Sequence, residues 1–104
     1  MLGINVNITS WVDDYQPGIV ECQLTDALGQ TWSFIEKMPV VTLADLDAQS
    51  SYPQPGFIAC EIIETRMDTE GREIIIIDTD SPWGIESTSG HTRFYVYRDQ
   101  LADS

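Results

Sequence analysis

Apolar and polar residues alternate along most of this chain. Ile4, Val6 and Ile8, for example, are separated by the polar residues Asn5 and Asn7. A period of two places apolar side chains on one face of a strand and polar side chains on the other. The same runs are filled by β-branched and aromatic residues, which favour strands. The pattern therefore predicts a chain that is rich in β-strands.

Turn signals separate the alternating runs. Gly29 and Gly71 each end a short connection between two runs, as in a hairpin, because glycine tolerates a positive φ angle. We expect the isoleucines at 74–77 to form a central strand that is buried on both faces, and the polar tail from Asp99 to fray. The predicted strands are residues 4–12, 19–25, 30–37, 57–66, 72–78 and 91–98, with a short further strand at 85–88.

The stretch between the third and fourth predicted strands is the least regular part of the chain. Thr42 can cap one or two helical turns over residues 42–48, with Asp45 three positions later. Residues 49–56 are polar and contain Pro53 and Pro55, which favour extended backbone. Long ordered connections in small domains are often functional, so we expect a binding surface here.

Chain length and composition favour one folded domain. With 104 residues, 42% of them hydrophobic, the chain can bury a core without needing disulfides or a metal ion. Short, mostly hairpin-connected strands are typical of antiparallel barrels and sandwiches. We therefore predict a single all-β domain over residues 1–104. We expect a small antiparallel β-barrel or compact sandwich of six to seven strands with at most one short helical turn.

The charge balance excludes more functions than it identifies. The chain has five Lys and Arg residues against 17 Asp and Glu residues, which gives a formal net charge of −12. Binding of nucleic acid or of anionic membrane surfaces needs clustered cations, so we expect neither. A field of this sign attracts basic partners, although the acids can also serve only to keep the protein soluble.

The candidate reactive residues favour no enzyme class. Cys22 and Cys60 lie in phase with apolar neighbours, so both are expected to be buried and reduced thiols. His91 follows a Ser-Gly turn and is expected at the surface, with no nucleophile motif beside it. The acids from Asp78 to Glu86 match a calcium loop poorly, because a proline and a tryptophan interrupt them. We expect a protein that is not an enzyme and binds no cofactor and no metal ion.

Aromatic residues in acidic loops are the strongest candidates for a contact surface. Loop aromatics can anchor a protein partner, although each one can also simply cover the end of a barrel. The candidates lie in three loops, at 13–18, 50–56 and 80–84, or at the strand ends before them. The predicted partner-binding residues are Trp11, Asp13, Asp14, Tyr15, Tyr52, Asp78, Asp80 and Trp83.

These observations favour a non-enzymatic, acidic protein–protein interaction module. In one version it inhibits a basic partner, such as a toxin or nuclease, by covering the partner's basic site. In charge and size the chain resembles the immunity proteins that neutralise basic nuclease toxins, and the resemblance implies a role of that kind. The alternative is a β-barrel that binds a small ligand with Trp11, Tyr52 or Trp83 as apolar walls. A third hypothesis is a hydrolase or isomerase that uses carboxylates.

The N-terminal residues bear on the expected cell compartment. They contain no basic start, no apolar stretch of signal length and no small-residue cleavage site, so we expect no cleaved leader. Together with the expected reduced thiols, this favours a cytoplasmic protein.

Overall fold

The computed structural model describes residues 1–103 and contains eight strands in two antiparallel sheets. The strands are β1 (Leu2–Asp13), β2 (Ile19–Thr25), β3 (Thr31–Lys37), β4 (Gln54–Ala59), β5 (Glu61–Met67), β6 (Glu73–Asp78), β7 (Arg93–Val96) and β8 (Leu101–Asp103). A helical turn, α1 (Met38–Val41), follows β3, and a 3-10 turn, η1 (Arg98–Gln100), precedes β8. Within residues 1–103, no helix is long and apolar enough to cross a bilayer.

The first sheet is built around β1, which is long enough to pair with three other strands. Its order is β3-β2-β1-β4, and β8 pairs with the start of β1. Gly3 to Ile8 pair with β4 along one edge of β1. Along the other edge, Leu2 to Ile4 pair with β8, and the second half of the strand pairs with β2. The loop after Asp13 and the chain end at β8 therefore lie at opposite ends of β1.

The second sheet has the order β5-β6-β7, with the isoleucine strand β6 at its centre. Ile75 and Ile77 belong to the core between the sheets, while Ile74 and Ile76 alternate with them on the outer face. All four side chains are buried. The prediction of a central strand that is buried on both faces is confirmed.

The core lies between the two sheets. It combines the inward residues of the first sheet with those of the second, and Phe34 meets Phe94 edge to face with ring centroids 5.6 Å apart. Interlocking apolar side chains of this kind supply most of the favourable free energy of folding. The fully buried members are Ile4, Ile8, Val20, Cys22, Phe34, Ile58, Ile75, Ile77 and Val96.

The two sheets approach closure along one side only. The backbone N–H of Thr88 donates to the carbonyl of Ser33 at 2.8 Å, and that of Ala27 donates to the carbonyl of Tyr95 at 2.7 Å. On the opposite side, β4 pairs only with β1 and β5 pairs only with β6. The predicted all-β antiparallel fold is confirmed in its sandwich form, and the barrel is not closed.

The predicted fourth strand, residues 57–66, is in fact two strands in different sheets. The chain bends at Cys60 between β4 and β5, and the Cys60 N–H donates to the Leu2 carbonyl at 3.1 Å. Ile58 and Cys60 are buried while Ile62 is 41% exposed. Because the apolar alternation continues across the bend, the sequence pattern did not reveal the change of sheet.

Helical structure occurs earlier than predicted. The turn forms at Met38–Val41, where Pro39 sits at the first helical positions, and not over residues 42–48. Thr42 ends this turn with a φ of −156°, and its hydroxyl accepts the N–H of Ala44 at 3.0 Å. The Thr42 side chain therefore stabilises a bend after α1 and does not cap a following helix.

The last quarter of the chain also differs from the prediction. Residues 85–88 form no strand, because the Thr79 hydroxyl donates to the Ile85 carbonyl at 2.7 Å and folds this segment back on the end of β6. The polar tail does not fray at Asp99, since it forms η1 and then pairs as β8. The Gln100 side-chain amide also donates to the Thr25 carbonyl at 2.8 Å, which fastens the tail to β2.

Candidate functional site

The loop between β1 and β2 is held rigid by its own acidic and aromatic residues. Asp14 Oδ1 accepts the indole N–H of Trp11 at 2.7 Å, and Asp13 Oδ1 accepts the backbone N–H of Tyr15 at 2.9 Å. The Trp11 ring lies directly over Gly18, which has a φ of +106°, so a side chain at that position would collide with the ring. The close packing of Trp11 on Gly18 therefore fixes the shape of the loop.

A second acidic loop lies beside the first. Trp11 and Asp14 line a cleft of about 350 Å³, and Asp45 and Asp47 line the same cleft from the segment after α1. The Tyr52 hydroxyl donates to the Asp47 carbonyl at 2.7 Å, which holds the second loop in its turn. Tyr52 is thus linked, through Asp47, to the cleft that Trp11 lines.

We call these two loops the acidic loop face, defined by Asp13, Asp14, Asp45 and Asp47 together with Trp11, Tyr15 and Tyr52. All four aspartates are exposed, and Tyr15 is 73% exposed. No Lys, Arg or His side chain among residues 1–103 lies within 4.0 Å of the four carboxylates. The negative charge of this face is therefore not neutralised by an ion pair within the described part of the chain.

The arginines are all on or next to the second sheet. Arg66 pairs with Glu64, Arg98 pairs with Glu73 at 2.7 Å, and the Arg72 guanidinium lies 3.5 Å from the centre of the Tyr97 ring. Lys37 is the only Lys or Arg residue in the first 60 residues. The charge distribution is consequently uneven, because the four arginines are grouped at the second sheet, whereas Lys37 pairs with Ile19 beside the first loop of the acidic loop face.

Three predicted site residues lie elsewhere. Asp78 Oδ1 accepts the N–H of Asp80 at 2.8 Å and Oδ2 accepts the Arg93 side chain at 3.3 Å. The backbone hydrogen bond from Asp80, assisted by Arg93, lowers the pKa of Asp78 below its ordinary value. Trp83 lines clefts beside α1, and neither it nor the two aspartates lines the cleft that holds Trp11 and Asp14. The three predicted loops therefore do not form one continuous site.

An apolar groove of about 590 Å³ lies beside β4, and much of its lining comes from the irregular connection where the sequence predicts a binding surface. Its walls include Pro39 to Ala44, Pro55 to Phe57 and Trp83. Leu43 projects fully into solvent at its rim, although the predicted helical turn gave no reason to expect this. Only the tryptophan of this groove was among the predicted contact residues.

The two cysteines are buried and free, as predicted. Burial, with smaller effects from Glu36 and Glu21, raises the pKa of Cys22 to about 12. Burial also raises the pKa of Cys60 to about 11. Both thiols therefore stay protonated at neutral pH and are poor nucleophiles and poor metal ligands. Within the described chain, no group of three or more His, Cys, Asp or Glu residues is placed to hold a metal ion.

A small hydrogen-bond network surrounds the single histidine. Ser89 Oγ lies 3.1 Å from His91 Nδ1 and 3.0 Å from Ser87 Oγ, and Ser87 Oγ also accepts the His91 backbone N–H at 3.0 Å. The His91 ring packs against Trp32 at 4.7 Å between ring centroids. These residues do not line any of the clefts of about 590, 370 and 350 Å³. We therefore interpret the network as the support of a tight turn.

Comparisons with protein-family models, with curated proteins and with solved structures gave no match for this chain.

Proposed function

We propose that this protein is a non-enzymatic interaction module that binds a basic protein partner through its acidic loop face. The observation that carries the proposal is the cleft that Trp11, Asp14, Asp45 and Asp47 line together, with Asp13 next to Asp14 in the first loop. None of the four carboxylates forms an ion pair with another of residues 1–103. Surfaces of this composition combine long-range attraction with aromatic anchors.

Electrostatics and packing have separate roles in this proposal. The four carboxylates speed the encounter with a basic surface, because a field of one sign steers oppositely charged partners. Tyr15 then supplies buried area in the complex, since its ring is largely exposed in the free protein. The hydrogen bonds that Asp13 and Asp14 accept hold the loop in place before binding, which lowers the entropic cost of ordering it.

Inhibition of a basic enzyme is the version of the proposal that fits this face best. An acidic surface that covers a cationic active site competes with an anionic substrate for the same charges. The proposal includes a cytoplasmic location, which is supported by two cysteines that remain unpaired in the fold.

The alternative of a ligand in the mouth of a barrel has weaker support. Phe34, Phe94 and the inward isoleucines fill the space between the sheets, and the sheets do not close. Trp11 and Trp83, which were expected as walls of one site, line different clefts. A small ligand would therefore have to bind in a surface groove and not in the interior.

Affinity capture tests the proposal directly. The full chain is immobilised through a tag added after β8, a strand that lies at the far end of β1 from the acidic loop face, and exposed to lysate of the source cell. We expect basic proteins to be retained at low salt and released as the ionic strength rises above about 0.15 M, where the Debye length is about 8 Å.

The matched control separates the face from the overall charge. Asp13→Lys with Asp14→Lys should abolish capture, whereas Glu70→Lys with Asp99→Lys makes the same change in net charge at exposed positions elsewhere. The control variant should retain the captured proteins. Equal loss with both double variants would refute a localised site and mean that only the net charge matters. No loss with either variant would leave only a solubilising role for the acids.

A further inference from the structure

The apolar groove beside β4 has a composition unlike the rest of the protein. Charged residues make up 21% of the chain, yet the side chains that line this groove are all uncharged. Leu43 is fully exposed at its rim, and Met1 and Trp83 are 54% and 45% exposed. Three large apolar side chains are therefore left in water around one concave surface, which is a common feature of binding sites.

The groove lies over the outer face of the first sheet and reaches its edge strand β4. The Cys60 N–H bonds to Leu2 across the β1–β4 ladder, and antiparallel pairs alternate between bonded and non-bonded positions. By this alternation Ile58 and Gly56 direct their backbone groups towards β1, while Phe57 directs its N–H and C=O away from β1. Phe57 lines the groove, and β4 has no second partner strand within residues 1–103. An extended chain could therefore hydrogen-bond to Phe57 there.

A carboxylate lies in the adjoining cleft. That cleft, of about 370 Å³, shares Pro39, Val40 and Trp83 with the groove and is also lined by Glu36. Glu36 is half-buried, and this burial raises the pKa of its carboxyl above the ordinary value. A cationic group in the cleft would relieve the cost of holding this charge away from water.

We propose that the groove binds an extended peptide segment of a partner protein, with apolar side chains beside Leu43 and Trp83 and one Lys or Arg at Glu36. The free edge at Phe57 favours an extended chain over a compact ligand, because backbone groups of a peptide pair with it. The uncharged walls select apolar side chains, and Glu36 selects the cation next to them. This site differs in chemistry and in residues from the acidic loop face, so it stands independently of the proposed function.

The test uses a phage-displayed library of random dodecapeptides. The full chain is coupled to the support through the variant Leu28→Cys, an exposed hairpin position that does not line the groove. We expect the selected sequences to contain apolar residues next to a single Lys or Arg. Synthetic copies of the enriched peptides are then titrated into the untagged protein, and binding is followed by fluorescence anisotropy.

Variants assign the peptide to the groove. Leu43→Asp should weaken binding by more than about tenfold, because it replaces a large apolar contact with a charge, and the fold should tolerate the change because Leu43 is fully exposed. Leu28→Asp is the matched control and should leave the affinity unchanged. Glu36→Gln should lower the affinity for peptides that contain Lys or Arg several-fold. The affinity for peptides without a cation should not change.

The remaining outcomes contradict the proposal. Peptides whose binding is lost in the Asp13→Lys, Asp14→Lys variant but not in Leu43→Asp occupy the acidic loop face, which would support the proposed function and refute the groove site. A second outcome is that no peptide is enriched, while Nile red binds the native protein and does not bind the Leu43→Asp variant. In that case the groove accepts small apolar molecules and the peptide proposal is wrong. Absence of both kinds of binding also refutes it.

Discussion

The indole Nε1 of Trp32 donates a hydrogen bond of 2.9 Å to Oδ2 of Asp26, a carboxylate that is buried at the β2–β3 hairpin. The other oxygen of Asp26 accepts the backbone N–H groups of Leu28 and Gln30, both at 2.9 Å. The same loop geometry recurs at the β5–β6 hairpin, where Asp68 accepts two backbone N–H groups. Only the first hairpin adds a tryptophan to this arrangement.

This pair of hairpins yields a stability prediction. Asp26→Ala should lower the free energy of unfolding by about 2–3 kcal/mol, because it leaves a half-buried indole N–H and two loop amides without their acceptor. Asp68→Ala removes the same loop bonds at a more exposed site and should cost about 1 kcal/mol. Urea denaturation of both variants measures the difference. Equal losses would mean that the bond to Trp32 adds nothing to stability.

The hairpins also show which parts of the fold the sequence predicts. Residues 19–25 were predicted as a strand and form β2 with the same bounds, because alternation and flanking turn residues agree there. The bend at Cys60 was missed, since Ile58, Cys60 and Ile62 keep one period while the chain passes from one sheet to the other. Alternation reports the faces of a strand but not which sheet the strand joins.

The candidate site was predictable only where the chemistry is local. The bonds of Asp13 and Asp14 lie within one loop, and loop acids beside Trp11 could be identified from the sequence. Asp45 joins them only because α1 turns the chain back towards the first loop. The pairing of Asp78 with Arg93 depends on the β6–β7 register, which the sequence does not specify.

The two faces of β6 should respond differently to truncation. Ile75 points into the core and is fully buried, whereas Ile76 lies on the outer face and remains 6% exposed. We expect Ile75→Ala to cost about 4 kcal/mol and Ile76→Ala about 2 kcal/mol, since a cavity on the outer face can collapse more easily. Chemical denaturation checks the order. A larger loss for Ile76 would contradict the assignment of the inner face.

Both thiols should react only when the fold opens. Their pKa values of about 12 for Cys22 and about 11 for Cys60 leave almost no thiolate at neutral pH, and burial blocks access. A thiol reagent should label both cysteines slowly in the native protein and completely in denaturant. Rapid native labelling of either one, measured by mass spectrometry, would show that its strand is exposed.

Glu36 should make stability depend on pH. Because burial raises its pKa in the folded protein, the folded state favours the protonated form, and its contribution to stability is lost as the pH rises through the folded pKa. Glu36→Gln should therefore be more stable than the native protein at about pH 7, and the difference should shrink towards about pH 4. Denaturation of both proteins at both pH values tests this prediction. A difference in the free energy of unfolding that is larger in acid than at neutral pH would contradict it.

The most direct test of the central claim is the association rate between the protein and the basic partner recovered by affinity capture, measured by stopped-flow fluorescence over a range of ionic strength. At low salt the native protein should associate about tenfold faster than the Asp13→Lys, Asp14→Lys variant, and the gap should narrow as salt screens the field. The Glu70→Lys, Asp99→Lys variant should stay within about twofold of the native rate. Equal slowing in both variants would contradict a localised acidic binding face.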